Sequence, residues 1–199
     1  MRALLGFFLL SVFLRTGICL ECEVCSAVDS TCTGSMKTCD VGQDTCAVIL
    51  SENSLAGTPI RTVIKTCESS SACSSLPNYM NFGQGKYVRT SISCCVGDAC
   101  KTAFPQFPPA MTEPNGKQCQ GCYSLSPFGC EAETVDCVGA ENFCLNMVEK
   151  VIYGKFVLHT TMKGCVTEAV CAAKKGKVTH AGVHADIEKA ECQPASLGA

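Results

Sequence analysis

Two C-x-x-C pairs, Cys22/Cys25 and Cys119/Cys122, and the pentapeptide His180-Ala-Gly-Val-His184 are the places where residue type and spacing could carry chemistry. Thiols two residues apart suit zinc binding or disulfide exchange. A zinc ribbon, however, needs its second pair roughly 15–20 residues on, and here the second pair begins only at Cys119. Imidazoles at i and i+4 share one face of a helix, but the position for a general-base carboxylate after the first is Ala181, and Gly182 weakens any helix. His184 and His180 therefore read as a solvated fingertip, and His159 as a strand side chain. No G-x-S-x-G elbow, phosphate-binding glycine loop or paired-carboxylate arrangement occurs. The expectation is no enzyme, no metal and no cofactor. Nor is there an Asn-x-Ser/Thr sequon, Asn142-Phe-Cys144 being the nearest approach.

What must position any functional surface is a cysteine framework. Nineteen of the 199 residues are cysteine and none is tryptophan, a composition typical of disulfide scaffolds in oxidising compartments. Sixteen Lys+Arg against 18 Asp+Glu leave a net charge of −2, which argues against an electrostatic grip on nucleic acid or anionic lipid. With 47% hydrophobic and 17% charged residues the chain is no disordered tail.

Met1-Arg2 followed by the apolar run Ala3 to Leu14 matches a secretory signal, too short to span a bilayer. Gly17 and Cys19 would occupy positions −3 and −1 of a cut before Leu20. That cut removes one cysteine and leaves an even number, so all can pair. Glu191 to Ala199 carries no hydrophobic tail of a lipid-anchor signal. A secreted, extracellular chain without a membrane anchor is expected.

The remaining cysteines form two sets. The first is Cys22, Cys25, Cys32, Cys39, Cys46, Cys67, Cys73, Cys94, Cys95 and Cys100; the second is Cys119, Cys122, Cys130, Cys137, Cys144, Cys165, Cys171 and Cys192. Corresponding members lie 97 or 98 residues apart, which is a tandem duplication. Units of roughly 80 residues are small enough to need cross-links for stability. The expected organisation is a signal peptide at 1–19, a first domain at 20–101, a linker at 102–117 and a second domain at 118–199. Pro105, Pro108, Pro109 and Pro114 make the linker a semi-rigid spacer.

Within each unit the long gaps between cysteines read as β-hairpins. Ala47 to Leu50 and Arg61 to Lys65 flank the turn material Gly57-Thr58-Pro59, and Tyr87 to Ser93 alternates bulky and polar residues. Cys144 to Ile152 and Phe156 to Met162 flank Tyr153-Gly154-Lys155. Ile187 to Ala190 reads as a single helical turn.

The order C-x2-C-x6-C-x6-C-x6-C-x20-C-x5-C-x20-CC-x4-C resembles the three-finger domain of the urokinase-receptor and lymphocyte-antigen superfamily. Spacing alone does not choose among the connectivities such cysteines allow; the resemblance implies Cys22–Cys46, Cys25–Cys32, Cys39–Cys67, Cys73–Cys94 and Cys95–Cys100. In the second unit it implies Cys119–Cys144, Cys122–Cys130, Cys137–Cys165 and Cys171–Cys192. That unit lacks the terminal CC-x4-C box, and in the first unit Lys101 stands where the family's box commonly ends in Asn. The fold class implied is small, disulfide-rich and mostly β, with two tandem three-finger (urokinase-receptor-like) domains.

Leu20-Glu-Cys-Glu-Val-Cys25, Phe104-Pro-Gln-Phe-Pro-Pro109, Pro114-Asn-Gly116 and the closing Glu191-Cys192 are similar to the B-type branch of the snake gamma-class phospholipase A2 inhibitors. That resemblance implies a serum protein that binds secreted phospholipase A2 without chemistry, as a homo- or hetero-oligomer with a sister subunit. A soluble urokinase-receptor-like ligand or signalling module is the other reading. The candidate partner-binding residues are Phe104, Pro105, Phe107, Pro108 and Pro109 in the linker and Tyr79 and Phe82 in the third finger. Aromatic and proline side chains on pre-ordered backbone suit recognition, and the same side chains would equally serve to clamp the two domains.

Overall fold

The computed structural model describes residues 20–28, 30–74, 78–107, 112–153, 155–172, 175–180 and 183–198. The expected signal peptide at 1–19 lies outside them. Strands dominate. In the first unit β1 (Glu21–Ala27) and β2 (Ser35–Thr38) form one finger, β3 (Thr45–Asn53) and β4 (Ile60–Glu68) a second, β5 (Asn78–Asn81) and β6 (Tyr87–Cys95) a third. The second unit repeats this with β7 (Pro114–Ser124) and β8 (Glu133–Val138), β9 (Phe143–Tyr153) and β10 (Phe156–Val166), β11 (Gly176–His180) and β12 (Val183–Pro194); β13 (Ser196–Leu197) closes it. Single 3-10 turns occupy Ser70–Ser74, Gly97–Lys101 and Glu168–Ala172. The protein is a disulfide-rich, mostly β chain of two three-finger units.

The middle strand of each unit shows why these sequences become strands. β3 is paired along both edges, to β4 and β6. Its run Thr45 to Leu50 is buried without interruption, so both faces are covered, that of Cys46, Val48 and Leu50 by neighbouring cysteines and by Ala103 and Phe107. Strands covered on both faces lose the apolar/polar alternation of a half-exposed strand. β2, at the edge, is exposed at every residue. β9 repeats the central role between β10 and β12.

One expected element is corrected. Ile187 to Ala190 is not a helical turn but part of β12, where the register slips between Ile187 and Lys189. Glu188 is the extra, exposed residue of a β-bulge. A bulge puts an apolar residue three positions from the next, which imitates a helical period over one turn.

Among the described residues, nine disulfides staple the bases of the fingers. They are Cys22–Cys46, Cys25–Cys32, Cys39–Cys67, Cys73–Cys94 and Cys95–Cys100 in the first unit, and Cys119–Cys144, Cys122–Cys130, Cys137–Cys165 and Cys171–Cys192 in the second. Each such bridge is worth on the order of 2–4 kcal/mol. Two small cores are built almost wholly of these sulfurs.

The two units share a sheet. β5 of the first pairs with β10 of the second, Asn81 opposite Cys165 and Met80 opposite Val166. The strand order is therefore continuous, β11-β12-β9-β10-β5-β6-β3-β4-β1-β2, with β7 branching from β10 and carrying β8 and β13. The largest apolar cluster straddles this seam: Phe82 enters from the first unit among Leu145, Met147, Met162, Val166, Val170 and Ile187 of the second.

Candidate functional site

The linker does not run loose between the units. Ser91 of β6 donates its hydroxyl to the Gln106 carbonyl at 3.2 Å. Ala103 and Phe107 pack on the Val48–Leu50–Val63 cluster. The Phe107 ring lies 4.3 Å from the Arg89 guanidinium, a cation–π contact. Pro105 is buried, Phe107 half-buried and Phe104 exposed. Residues 103–107 thus form a strap across the first unit's sheet, with Phe104 presented outward beside a groove lined by Leu50, Arg61 and Gln106. Pro108 and Pro109 lie outside the described residues. β7 begins at Pro114, so the last residues of the expected linker are already strand.

Beneath the strap lies a charge network that reading along the chain did not reveal. The Glu52 carboxylate is almost wholly buried and accepts from Arg61 Nε at 2.7 Å, Arg89 Nε at 2.9 Å and the Tyr87 hydroxyl at 2.8 Å. Burial alone would push its carboxyl up. The hydrogen bonds from Arg61 and Tyr87, with the Arg89 charge and hydrogen bond, outweigh burial and hold it below the ordinary range. These residues are far apart in sequence; only the rungs Glu52–Arg61 and Glu52–Arg89 bring them together.

Tyr79 and Phe82 belong to the seam. Phe82 is 1% exposed, so the expectation that it contacts a partner is corrected: its ring fills the second unit's core, 6.2 Å from the Tyr123 ring. Tyr79 is half-buried. Its backbone N–H donates to Thr167 Oγ1 at 3.2 Å and its carbonyl accepts from Thr167 N–H at 3.1 Å. Glycine makes the approach possible. A Cβ on Gly164 would overlap the Asn81 carbonyl, and one on Gly121 would strike Val135 and the Phe82 backbone. An isolated glycine within a strand run is the sequence signal for such an approach.

A cavity of about 310 Å³ opens along the seam between Tyr79, Met80, Val88, Val138, Glu141 and Thr167. Glu141 is 4% exposed. Burial pushes its carboxyl up to about 7, and the opposing hydrogen bonds from the Val138 N–H and the Asn81 amide do not offset it. Val138 N–H donates to Glu141 Oε2 at 3.0 Å.

The members of each C-x-x-C pair go to separate bridges. The sulfurs of Cys22, Cys39 and Cys67, and of Cys119, Cys137 and Cys165, do gather within 4.8 Å, but as neighbouring disulfides at the finger bases. His180 stands opposite Val183 and His184 opposite Thr179 in the β11–β12 hairpin, so the two histidines are not on a helical face. His159 pairs with Lys150 across β9 and β10. One further surface carries no motif that marks it in the sequence: the exposed apolar residues at the middle fingertip of the second unit.

A rigid body with its strands stapled at their bases and its conspicuous side chains displayed on fingers and strap is a recognition scaffold of the tandem three-finger class. The profile of the Phospholipase A2 inhibitor family matches residues 20–102, and that of the u-PAR/Ly-6 domain residues 115–196. "Phospholipase A2 inhibitor NAI" of Notechis ater is 38% identical over 86% of this chain and 86% of its own length. A phospholipase A2 inhibitor gamma subunit from Gloydius brevicaudus siniticus is 35% identical over 98% and 96%, and its namesake from Laticauda semifasciata 35% over 77% and 84%. The chain belongs to the gamma class of the phospholipase A2 inhibitor family.

Proposed function

We propose that this protein binds secreted phospholipase A2 in a stoichiometric complex and inhibits it without doing chemistry itself. The observation that carries the reading is the match to named inhibitors across both units, up to 98% of the chain. It is an inhibitor and not an enzyme. Among the described residues no helix is long and apolar enough to cross a membrane. Secretion into serum is part of the proposal, supported by the apolar run Ala3 to Leu14 and by the disulfide framework.

Within this reading the strap is the contact face. Phe104 is its outward aromatic and Arg61, 62% exposed at its side chain, its outward charge. Aromatic and arginine anchors on rigid backbone carry most of the energy of such interfaces. Assembly with a second copy or a sister subunit is part of the proposal, and β2, exposed along its length at the sheet's end, offers an edge for it. The test is capture from a panel of secreted phospholipases A2 by immobilised full-length protein. Retention of at least one enzyme is expected, with Phe104→Ala weakening it by about 1–3 kcal/mol. Retention of none would overturn the reading.

A further inference from the structure

The middle finger of the second unit ends in a surface that the fold does not use. Phe156, Val157 and Leu158 are 78%, 52% and 43% exposed in succession. Adjacent residues of a strand point to opposite faces, so both faces of this fingertip are apolar and solvent-facing. Opposite them on β9 stand Ile152, paired with Val157, and Val151, paired with Leu158. Beside them lies the loop after β7. Thr161 pairs with Ser124, and its hydroxyl donates to the Ser126 carbonyl. The antiparallel run therefore carries Leu125 and Phe128, both strongly exposed, toward the same end.

The chain segment that holds this tip is rich in lysine. From Lys150 to Ala185 the sequence carries Lys150, Lys155, Lys163, Lys174, Lys175 and Lys177 against a single carboxylate, Glu168. Glu168 belongs to a 3-10 turn that follows β10, beyond its end at Val166. Of the carboxylates flanking this stretch, Glu149 accepts from the Thr160 hydroxyl at 3.2 Å, Asp186 stands across from Lys150, and Glu188 is exposed on the bulge further from the tip.

Exposed Phe, Leu and Val at the end of a hairpin, with Lys155 in its turn and Lys150 and Lys177 on an adjoining rung, match a lipid–water interface in shape and charge. The apolar tip enters the acyl boundary while the ammonium groups stay among anionic headgroups. We infer that the second unit docks its middle fingertip reversibly on anionic phospholipid surfaces. The contact is peripheral: a few apolar side chains and a few lysines give weak, salt-sensitive partition, not anchoring. The inference stands on the fingertip alone and does not depend on phospholipase binding.

The test is co-sedimentation of the full-length protein with vesicles of equimolar phosphatidylserine and phosphatidylcholine, and with phosphatidylcholine alone, with no enzyme present. Binding to the anionic vesicles, weakened at high salt, is expected. The double variant Phe156→Ser, Leu158→Ser should lose at least about tenfold in partition, and Lys155→Glu a smaller part. The changes fall on exposed positions, so an unchanged thermal transition will show that the variants are folded. Equal binding of wild type and double variant overturns the inference, as does sedimentation no greater than with phosphatidylcholine alone. If the wild type ignores vesicles while the double variant loses capture of a phospholipase in lipid-free buffer, the fingertip is a protein contact and the lipid assignment is wrong.

Discussion

In the first unit the middle finger carries Glu52 on a rung between Arg61 and Arg89. On the corresponding rung of the second unit Lys150 stands between His159 and Asp186, because the β12 bulge moves Asp186 into the place that Arg89 holds in β6. One hairpin, duplicated, has reversed its central charge. In the first copy the buried carboxylate gathers two guanidiniums and a phenol, and one of those guanidiniums holds the linker through Phe107. The finger is tied inward, its tip further fixed by Ser54, whose hydroxyl donates to the Gly85 carbonyl at 2.6 Å. The second copy reaches outward with an apolar end. The disulfide frame sets what the two fingers share; the rungs above it decide what each can do.

A similar contrast holds at the turn after the fourth cysteine of each unit. Gln43 accepts from Asp40 N–H at 3.0 Å, and Glu141 accepts from Val138 N–H in the same place. The first unit satisfies that turn with an amide, the second with a buried acid.

The largest effect should come from the residue that makes the units depend on each other. Phe82→Ala removes a fully enclosed ring from the shared core and should cost about 3–5 kcal/mol, read as a lowered denaturation midpoint. Unfolding of the second unit should shift with it, although the change lies in the first. A second unit that unfolds as before would break the picture of a shared core.

Glu141 comes next. Its folded carboxyl, raised to about 7, lies above the ordinary 4.5, so the folded state binds more protons between those values. Stability from this group is present at low pH, falls as pH rises from about 4.5 through about 7, and stays lost above. Two and a half units correspond to about 3 kcal/mol. Glu141→Gln, the residue of the first unit, should flatten that slope and raise the melting temperature at pH 8. An unchanged slope would show that water reaches the acid.

Glu52 should behave in the opposite sense. Held below its ordinary value, it contributes stability that is complete above pH 4.5 and is lost as pH falls through its folded value. Glu52→Ala leaves the half-buried Arg89 without its carboxylate and should cost about 2–3 kcal/mol, discounted from a fully buried pair because Arg61 is exposed. The loss is to be measured by chemical denaturation at neutral pH, where a cost below about 0.5 kcal/mol would count against the network.

The smallest effect is at the strap. Phe107→Ala should lower stability by about 1–2 kcal/mol through lost packing and the lost Arg89 contact, and alter phospholipase affinity only secondarily. A weaker complex at unchanged melting temperature would make Phe107 a contact residue after all.

Cysteine spacing made the two units and their fingers legible, because the cross-link frame is written in residue type and interval. The hairpins Ala47 to Leu50 and Phe156 to Met162 were legible from β-branched runs. The seam was not. It depends on Asn81 meeting Cys165 across two units, and no local period records such a pairing. Phe82 accordingly read as a display residue when it is core. The β12 bulge imitates a helical turn for a related reason, since one inserted residue converts a two-residue period into a helical one. The Glu52 network joins residues that only strand register can align. Phe156, Val157 and Leu158 read simply as strand, because an apolar run looks the same whether or not anything covers it.

Inhibition by complex formation is decided by titrating phospholipase activity with the full-length protein at several enzyme concentrations and several vesicle concentrations. A stoichiometric complex predicts a linear loss of activity whose end point moves in proportion to enzyme and is indifferent to lipid. An end point that follows the amount of lipid, or activity that never falls, would contradict it.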